Sequence, residues 1–420
     1  TMLKRWLRLS RSVRLTTQVP EMATVKTATP RRVYDLLDPD FYSSDPHDAW
    51  AWMRTNEPVY RDDRNGLWGV TRHADLLDVE RRSTVFLSGQ GYRALWSPSE
   101  INMIAQDDPR HRQQRMLVQP NFTKKSVDDR VAEIDELTHG LIDTALAAGD
   151  EMEVVDALSG QLPARLTARL LGFSEDLWPE VKSWSERLMR TDMRERDGKI
   201  FREFFAANME FVDELQRVAM DRYANPADDL ISTWVHSTID GEPLSPEAIM
   251  HEVGLFISGG AETTRTAISH GLRVFVDHPD QWDAMGADSS LVAGGVEEVL
   301  RWVTPLNNMF RRAGEDAVVG GQTFERGDRL VLLYPSANRD EDVFPDAFSF
   351  DIERSPNSHV AFGFGTHLCI GTHVARATLA AVFGQLSARV TNLTAITEPD
   401  VESNIFARAV QSFRLGYDVR

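Results

Sequence analysis

A glycine-rich stretch near the carboxyl end holds the only cysteine of the chain. It runs from Phe362 to Gly371, and Cys369 lies directly before a predicted helix. Glycines permit unusual backbone angles and the close approach of a flat ligand. Amide N–H groups at a helix N-terminus stabilise a thiolate. The stretch therefore predicts a thiolate that is able to bind a metal ion.

Three other interpretations of this stretch stay open on these residues alone. Cys369 could be a small buried hydrophobe, and Gly363 and Gly365 could be half of a dinucleotide-binding fingerprint, although no strand–helix–strand pattern surrounds them. A zinc site is the third, with a spacing that fits no familiar zinc pattern. Its ligands would be His359, His367, Cys369 and His373.

A second set of chemically capable residues lies in the middle of a long predicted helix. Gly259 and Gly260 interrupt the helical pattern, and two such glycines destabilise a helix by roughly 2 kcal/mol relative to alanine. Glu262 and Thr263 follow, and an acid beside a hydroxyl is what a proton relay requires. One face of the helix carries Phe256, Gly260, Thr263 and Ala267. We expect a large planar ligand against this face, with helix–helix packing through the glycines as the alternative.

Two further pairs are uninformative when each is taken alone. Glu298 and Arg301 are spaced i, i+3 on a predicted helix, and most such pairs are solvated surface bridges. His111 and Arg115 are spaced i, i+4 and could both reach an anionic group such as a carboxylate.

The elements that must position these residues are mostly helical. Ser245, Pro246 and Glu247 mark a helix start, and the pattern continues to Asp277. Some 30 residues form a rod of roughly 45 Å, which can cross a whole domain. The other helices are predicted over 46–56, 75–81, much of 109–223, 290–302 and 370–390. Strands are predicted over 59–71, 318–333 and 405–419, and a long loop over 88–104. The expected fold class is mainly α with small β-sheets (α+β), in a single large domain with a long central helix.

Composition excludes several classes of protein. Of 420 residues, 42% are hydrophobic, which is typical of a globular chain, and a single cysteine excludes an intrachain disulfide and favours a reducing cytoplasm. The net charge of −18 argues against nucleic-acid binding. The longest charge-free run, 355–375, contains proline, glycine and histidine and is no membrane span.

The first 32 residues differ from the rest, because they hold eight basic residues and one acid. We expect residues 1–32 to be a disordered leader and residues 33–420 to form the folded domain. A membrane-surface helix, a transit-like peptide or a true start at Met22 are the alternatives.

In their order and spacing, these motifs together resemble the cytochrome P450 family of haem-thiolate monooxygenases. The pattern F-x-x-G-x-x-x-C-x-G falls on Phe362, Gly365, Cys369 and Gly371. The helix motif A/G-G-x-D/E-T-T/S falls on residues 259–264, and E-x-x-R falls on 298–301. The resemblance runs from about residue 30 to the end of the chain, and residues 337–340 and 359–363 resemble the soluble bacterial branch. It implies the cytochrome P450 fold and haem b as cofactor.

The resemblance also implies roles for individual residues. Cys369 would bind the haem iron, and the propionates would be held by His111, Arg115, Arg311 and His367. Phe362 and Gly260 would lie beside the haem, and Thr263 and Glu262 would deliver protons during catalysis. A structural ion-pair network would be formed by Glu298, Arg301 and Arg354.

The substrate pocket implied by the resemblance is mostly apolar, so we expect a hydrophobic substrate. Its residues would be Tyr92, Leu95, Trp96, Met103, Phe256, Leu306, Met309 and Val410. The stretches 262–265, 280–283 and 355–367 are similar to the actinobacterial sterol side-chain hydroxylases, so a sterol or steroid is the leading hypothesis. Terpenoids, fatty acids and polyketides are alternatives.

The expected reaction is C–H hydroxylation, with one oxygen atom taken from O2. No flavin or NAD domain is recognisable, so electrons would pass from NAD(P)H through a separate ferredoxin reductase and ferredoxin. A basic patch for the ferredoxin would hold Arg110, Arg112, Lys124 and Lys125. A monomer in the cytoplasm is expected. A peroxide-driven haem enzyme and a non-enzymatic haem carrier are the rival hypotheses.

Overall fold

The computed structural model describes residues 31–95, 99–190 and 198–420. The chain divides into two units, Thr1–Val33 and Tyr34–Arg420. Except for its last two residues, the leader predicted for residues 1–32 lies outside the described residues, and so does Trp96, a predicted pocket residue. The second unit contains the elements described next.

Helices make up most of this unit, and short turns of 3₁₀ and π helix lie between them. The α-helices are α1 (Pro39–Ser43), α2 (His47–Asn56), α3 (His73–Arg81), α4 (Arg110–Val118), α5 (Lys124–Asp128), α6 (Val131–Ala148), α7 (Gln161–Leu171), α8 (Trp178–Met189), α9 (Lys199–Ala224), α10 (Leu230–Val235), α11 (Pro246–Asp277), α12 (Pro279–Ala287), α13 (Val292–Val303), α14 (Tyr334–Ala337) and α15 (Thr372–Ser387).

Strands form small, separate sheets. The strands are β1 (Val59–Asp62), β2 (Leu67–Val70), β3 (Phe86–Leu87), β4 (Glu151–Glu153), β5 (Thr238–Ile239), β6 (Glu242–Pro243), β7 (Asn308–Ala313), β8 (Ala317–Val319), β9 (Gln322–Phe324), β10 (Arg329–Leu333), β11 (Val390–Ala395), β12 (Asp400–Val401), β13 (Val410–Ser412) and β14 (Arg414–Val419). A five-stranded sheet has the order β1-β2-β10-β7-β3, and a three-stranded sheet has the order β11-β14-β4. The mainly α class with small sheets is confirmed.

The long helix α11 is the spine of the fold. The Oγ of Ser245 caps it by accepting a hydrogen bond from the N–H of Ala248, 3.1 Å away, and Pro246 occupies its first position. Its 32 residues contribute to both large apolar cores, through Phe256 and neighbours in one and Phe275 and neighbours in the other. Helices α7, α8, α13 and α15 pack against it. Packing against these helices stabilises α11, although two adjacent glycines weaken it.

Some element boundaries differ from the prediction. Helix α15 ends at Ser387 rather than at 390, because Val390 pairs with Val419 in the three-stranded sheet. Helix α3 begins at His73, two residues earlier than predicted. Among the helices of the described ranges, none is long and apolar enough to cross a membrane.

A buried ion-pair network ties α13 to the segment before the cysteine loop. The carboxylate of Glu298 accepts from Arg301 Nε and Nη2 at 2.8 and 2.6 Å, and Arg354 Nε lies 3.3 Å away. Arg301 Nη1 also donates to the carbonyl oxygen of Asn338, at 3.0 Å. Glu298 and Arg301 are 0% exposed, so this pair is not the solvated surface bridge that its spacing most often indicates.

Candidate active site

A cavity of about 460 Å³ lies between α11 and the cysteine loop, within the range of roughly 300–1,000 Å³ that is usual for small-molecule and cofactor sites. Most of the predicted site residues meet in its wall. They are Tyr92, Met103, His111, Arg115, Phe256, Gly260, Thr263, Leu306, Met309, Arg311, Phe362, His367 and Cys369.

Cys369 presents its accessible surface to this cavity. The residue is exposed, yet protein surrounds it and burial raises the pKa of its thiol. The Gly371 backbone and the charges of Arg115 and Arg376 oppose that rise. Burial of the sulfur therefore works against the thiolate that the sequence predicts. A cation bound beside the sulfur would favour the thiolate.

The loop that carries Cys369 has a backbone shape that requires glycine. Gly363 and Gly365 adopt φ of +69° and +70°, the left-handed region. A Cβ on Gly365 would lie 2.5 Å from the carbonyl oxygen of Glu80. The Cys369 N–H then donates to the Phe362 carbonyl oxygen at 2.9 Å, which fixes the loop.

The zinc interpretation has no support in the described ranges, since no group of three His, Cys, Asp or Glu side chains there could hold a metal ion. Instead, His359 Nε2 lies 3.1 Å from Glu297 Oε2. That carboxylate also binds Arg376.

One edge of the cavity gathers four basic side chains. The rings of His111 and His367 lie 4.1 Å apart between centroids, and burial lowers the pKa of both, that of His367 to about 2. These two imidazoles are therefore neutral donors or acceptors, while Arg115 and Arg311 supply the positive charge.

This arrangement fits the haem that the resemblance implies. At this edge of the cavity the guanidinium groups of Arg115 and Arg311 match the two propionates of haem b. Cys369 offers a sulfur ligand to the same space. The rest of the wall near the cysteine is largely apolar, with Phe362 and Ile370 among its members.

On α11 the two glycines differ in what surrounds them. A Cβ on Gly259 would meet no atom within 4 Å, whereas one on Gly260 would lie 2.6 Å from Thr167 Oγ1 of α7. Close helix packing therefore explains Gly260, whereas no contact requires glycine at 259, and both glycines line the cavity. Thr263 faces the cavity, and its Oγ1 donates to the Gly259 carbonyl oxygen at 2.8 Å.

Glu262 points away from the cavity, which differs from the expectation that it lies beside the Thr263 hydroxyl. Successive helix residues project about 100° apart, and Glu262 lies 3.2 Å from Arg265 Nη2. Arg265 also pairs with Glu186 of α8, which lies 2.9 Å from Lys182. Burial raises the pKa of Glu262 to about 7, against the opposing charge of Arg265. Its carboxyl group can therefore hold or release a proton near neutral pH.

Two predicted pocket residues lie elsewhere. Leu95 is 42% exposed, and Val410 belongs to the apolar core where β13 begins. The cavity wall also contains residues that no motif indicated, including Phe406 and the polar residues Glu80 and Arg93. The periodic spacing of apolar residues in the sequence cannot identify polar residues of the cavity wall such as Glu80 and Arg93.

Comparison with known proteins agrees with these observations. The family model described as Cytochrome P450 matches residues 181–389. A relative from Mycolicibacterium smegmatis, named steroid C26-monooxygenase, is 40% identical over 82% of this chain and 86% of its own length. Linalool 8-monooxygenase of Pseudomonas putida is 34% identical over 85% of this chain and 92% of its own length.

Among solved structures, a Mycobacterium marinum cytochrome P450 in complex with pseudoionone superposes with a TM-score of 0.85. It is 31% identical, and the match covers 92% of this chain and all of that one. With the cysteine loop, the central helix and the cavity between them, these relationships show that the chain belongs to the cytochrome P450 family of haem-dependent monooxygenases.

Proposed function

We propose that this chain hydroxylates a C–H bond of a steroid or a related lipid. The observation that carries the proposal is the 40% identity to a relative named steroid C26-monooxygenase. The apolar wall formed by Met103, Phe256, Leu306 and Met309 supports it, because such a wall favours a hydrophobic ligand and excludes water.

The residues that would hold the haem bind its iron, its propionates or the face of its ring. Cys369 would bind the iron, and Arg115 and Arg311 would bind the propionates together with His111 and His367. Phe362 and Gly260 would contact the ring. When bound, haem supplies the iron redox chemistry by which one atom of O2 enters the substrate and the other leaves as water.

Protons for this reaction would pass through Thr263 and Glu262. The Thr263 Oγ1 faces the cavity and can hold a proton there. Glu262 can store one, since burial raises its pKa to about 7. Because its carboxyl group points toward Arg265, transfer to Thr263 requires a rotation of Glu262 or an intervening water. The attraction of Arg265 would return the carboxyl group to its resting position.

Electrons would come from NAD(P)H through a ferredoxin reductase and a ferredoxin. Of the four basic residues predicted to bind the ferredoxin, Lys124 and Lys125 form ion pairs with Asp128 and Asp129 at 2.7 and 3.1 Å. The ion pairs of the described residues include neither Arg110 nor Arg112. The attraction for an acidic ferredoxin therefore concentrates on these two arginines.

This part of the proposal is tested by measuring the rate of reduction at several ionic strengths. Arg112→Ala should slow association and weaken its dependence on salt, whereas Lys124→Ala, which removes an internally paired charge, should have a much smaller effect. Equal rates for Arg112→Ala and the parent protein with each ferredoxin would contradict it. We also propose that the protein is located in the cytoplasm, as the single cysteine predicts.

The substrate is tested by titrating the ferric protein with a panel of sterols, steroids, terpenoids and fatty acids. Displacement of the iron-bound water changes the Soret band, and the products of turnover then show which carbon is oxidised. Tight binding and side-chain hydroxylation of a steroid are expected. The linalool-oxidising relative makes a terpenoid the second candidate, and hydroxylation of terpenoids with no steroid product would replace the first.

A further inference from the structure

Glu80 is a buried carboxylate in the cavity wall that the proposed reaction does not use. Helix α3 carries it, and its side chain is 2% exposed. Its Oε1 accepts a hydrogen bond from the Tyr334 hydroxyl at 2.7 Å and lies 3.5 Å from Arg311 Nη2. Within the described part of the chain, its Oε2 has no hydrogen-bond partner. An unpaired carboxylate oxygen in the interior is costly in free energy, so this atom requires a partner.

Few charged groups surround this carboxyl group. Arg311 faces it from β7 and the Tyr334 hydroxyl from α14, and the cysteine loop presents only backbone, at Gly363 and Phe364. Farther along the same cavity wall lie Arg115, His111 and His367. Burial raises the pKa of Glu80 to about 7, and Arg311, Tyr334 and the Phe364 backbone oppose the rise.

The charges at this edge balance without Glu80. Arg115 and Arg311 carry two positive charges, and the two propionates of haem would carry two negative charges. The two histidines are kept neutral by burial. An ionised Glu80 would add a third negative charge with no cation of its own, which is unfavourable in a buried site. A protonated Glu80 avoids this charge and gains an O–H donor at the atom that lacks a partner.

We propose that Glu80 is a cofactor-binding residue whose protonated Oε2 donates a hydrogen bond to the haem propionate that shares Arg311 with it. The proposal rests on the haem site described under Proposed function. The motifs place only basic residues around the two propionates. Glu80 would be an acidic residue of the protein at the same site.

The protonation state of Glu80 would affect reduction of the bound haem. A negative charge at the haem edge disfavours the addition of an electron. Where Glu80 is ionised, reduction by one electron from an external mediator is accompanied by uptake of one proton from solvent at the Glu80 carboxylate. The midpoint potential of the holoenzyme should therefore fall as pH rises through neutrality.

Spectroelectrochemical titration of the full-length holoenzyme from about pH 6 to about pH 8.5 tests this. The parent potential should decline across the range. Glu80→Gln should abolish the decline and give a more positive potential than the parent at alkaline pH. Asp78→Asn is the matched control: it removes an acid from the same helix, but its side chain is 45% exposed and bonded to Arg82. This control should keep the parent's pH dependence.

A second variant tests the proposal even if Glu80→Gln fails to retain haem. Tyr334→Phe removes a hydrogen bond that stabilises the carboxylate, so the decline should move to higher pH. A parent potential that does not change with pH, or a decline that persists in Glu80→Gln, would overturn the proposal. Loss of the thiolate-haem spectrum in the parent would instead overturn the haem site itself, so the two failures are distinguishable.

Discussion

Replacing Glu252 by glutamine should stabilise the protein at neutral and alkaline pH. Glu252 is fully buried on α11, and its Oε1 accepts a hydrogen bond from the N–H of Met103 at 2.9 Å. Its Oε2 has no partner among the described residues. Burial raises the pKa of this carboxyl group from 4.5 to about 8, although the Met103 N–H and Arg110 oppose the rise. Glutamine keeps the acceptor for Met103 and carries no charge.

The sign and size of the effect follow from proton linkage. Below about pH 4.5 both the folded and unfolded states are protonated, so the contribution of Glu252 is fully present there. Above that pH the unfolded chain ionises while the folded protein keeps its proton, so stability falls until about pH 8. One pKa unit corresponds to about 1.4 kcal/mol, so this window sets a ceiling of about 5 kcal/mol. The advantage of Glu252→Gln should grow with pH.

Urea unfolding of the parent and the variant at about pH 5.5, 6.5 and 7.5 measures this difference. The exposed Glu247 in the first turn of α11 offers a matched control. Glu247→Gln should lose about 0.3–1 kcal/mol of helix-dipole stabilisation, with no growth toward alkaline pH. The reasoning is refuted if Glu252→Gln is less stable than the parent at pH 7.5, or if its advantage is the same at every pH.

Three other changes have definite expected outcomes. Thr263→Ala should raise hydrogen peroxide release and lower the coupling, which is the ratio of hydroxylated product to NAD(P)H consumed. Thr263→Ser should restore the coupling. Unchanged coupling in the alanine variant would exclude a role of Thr263 in proton delivery. Glu298→Gln leaves two arginines without their buried counter-charge and should destabilise the fold by about 3–5 kcal/mol, as measured by the urea midpoint. Gly365→Ala should reduce haem content, because the backbone has φ of +70° and the added Cβ would lie 2.5 Å from the Glu80 carbonyl oxygen; full haem occupancy would contradict that strain.

The parts of the fold that the sequence predicted well are those with local signals. Ser245 and Pro246 mark the start of α11 because capping is a contact within one turn. The glycines around Cys369 predict an unusual backbone conformation, and in the structure Gly363 and Gly365 have left-handed backbone angles. Both features depend on neighbours in sequence, so a single chain is enough to find them.

Other features depend on residues that are distant in sequence. The direction of the Glu262 side chain is set by Arg265 and, through it, by Glu186 on another helix. Glu80 looks like any acid on an amphipathic helix, and its burial against Arg311 and Tyr334 distinguishes it from the half-exposed Asp78. No local pattern encodes these contacts, so the sequence alone could not predict them.

The most direct test of the central claim is the absorption spectrum of the purified, dithionite-reduced holoenzyme in the presence of carbon monoxide. Ligation of the iron by the Cys369 thiolate predicts a strongly red-shifted Soret band, which is lost in Cys369→Ser. A Soret band at the position typical of histidine-ligated haem in the parent protein would contradict the account.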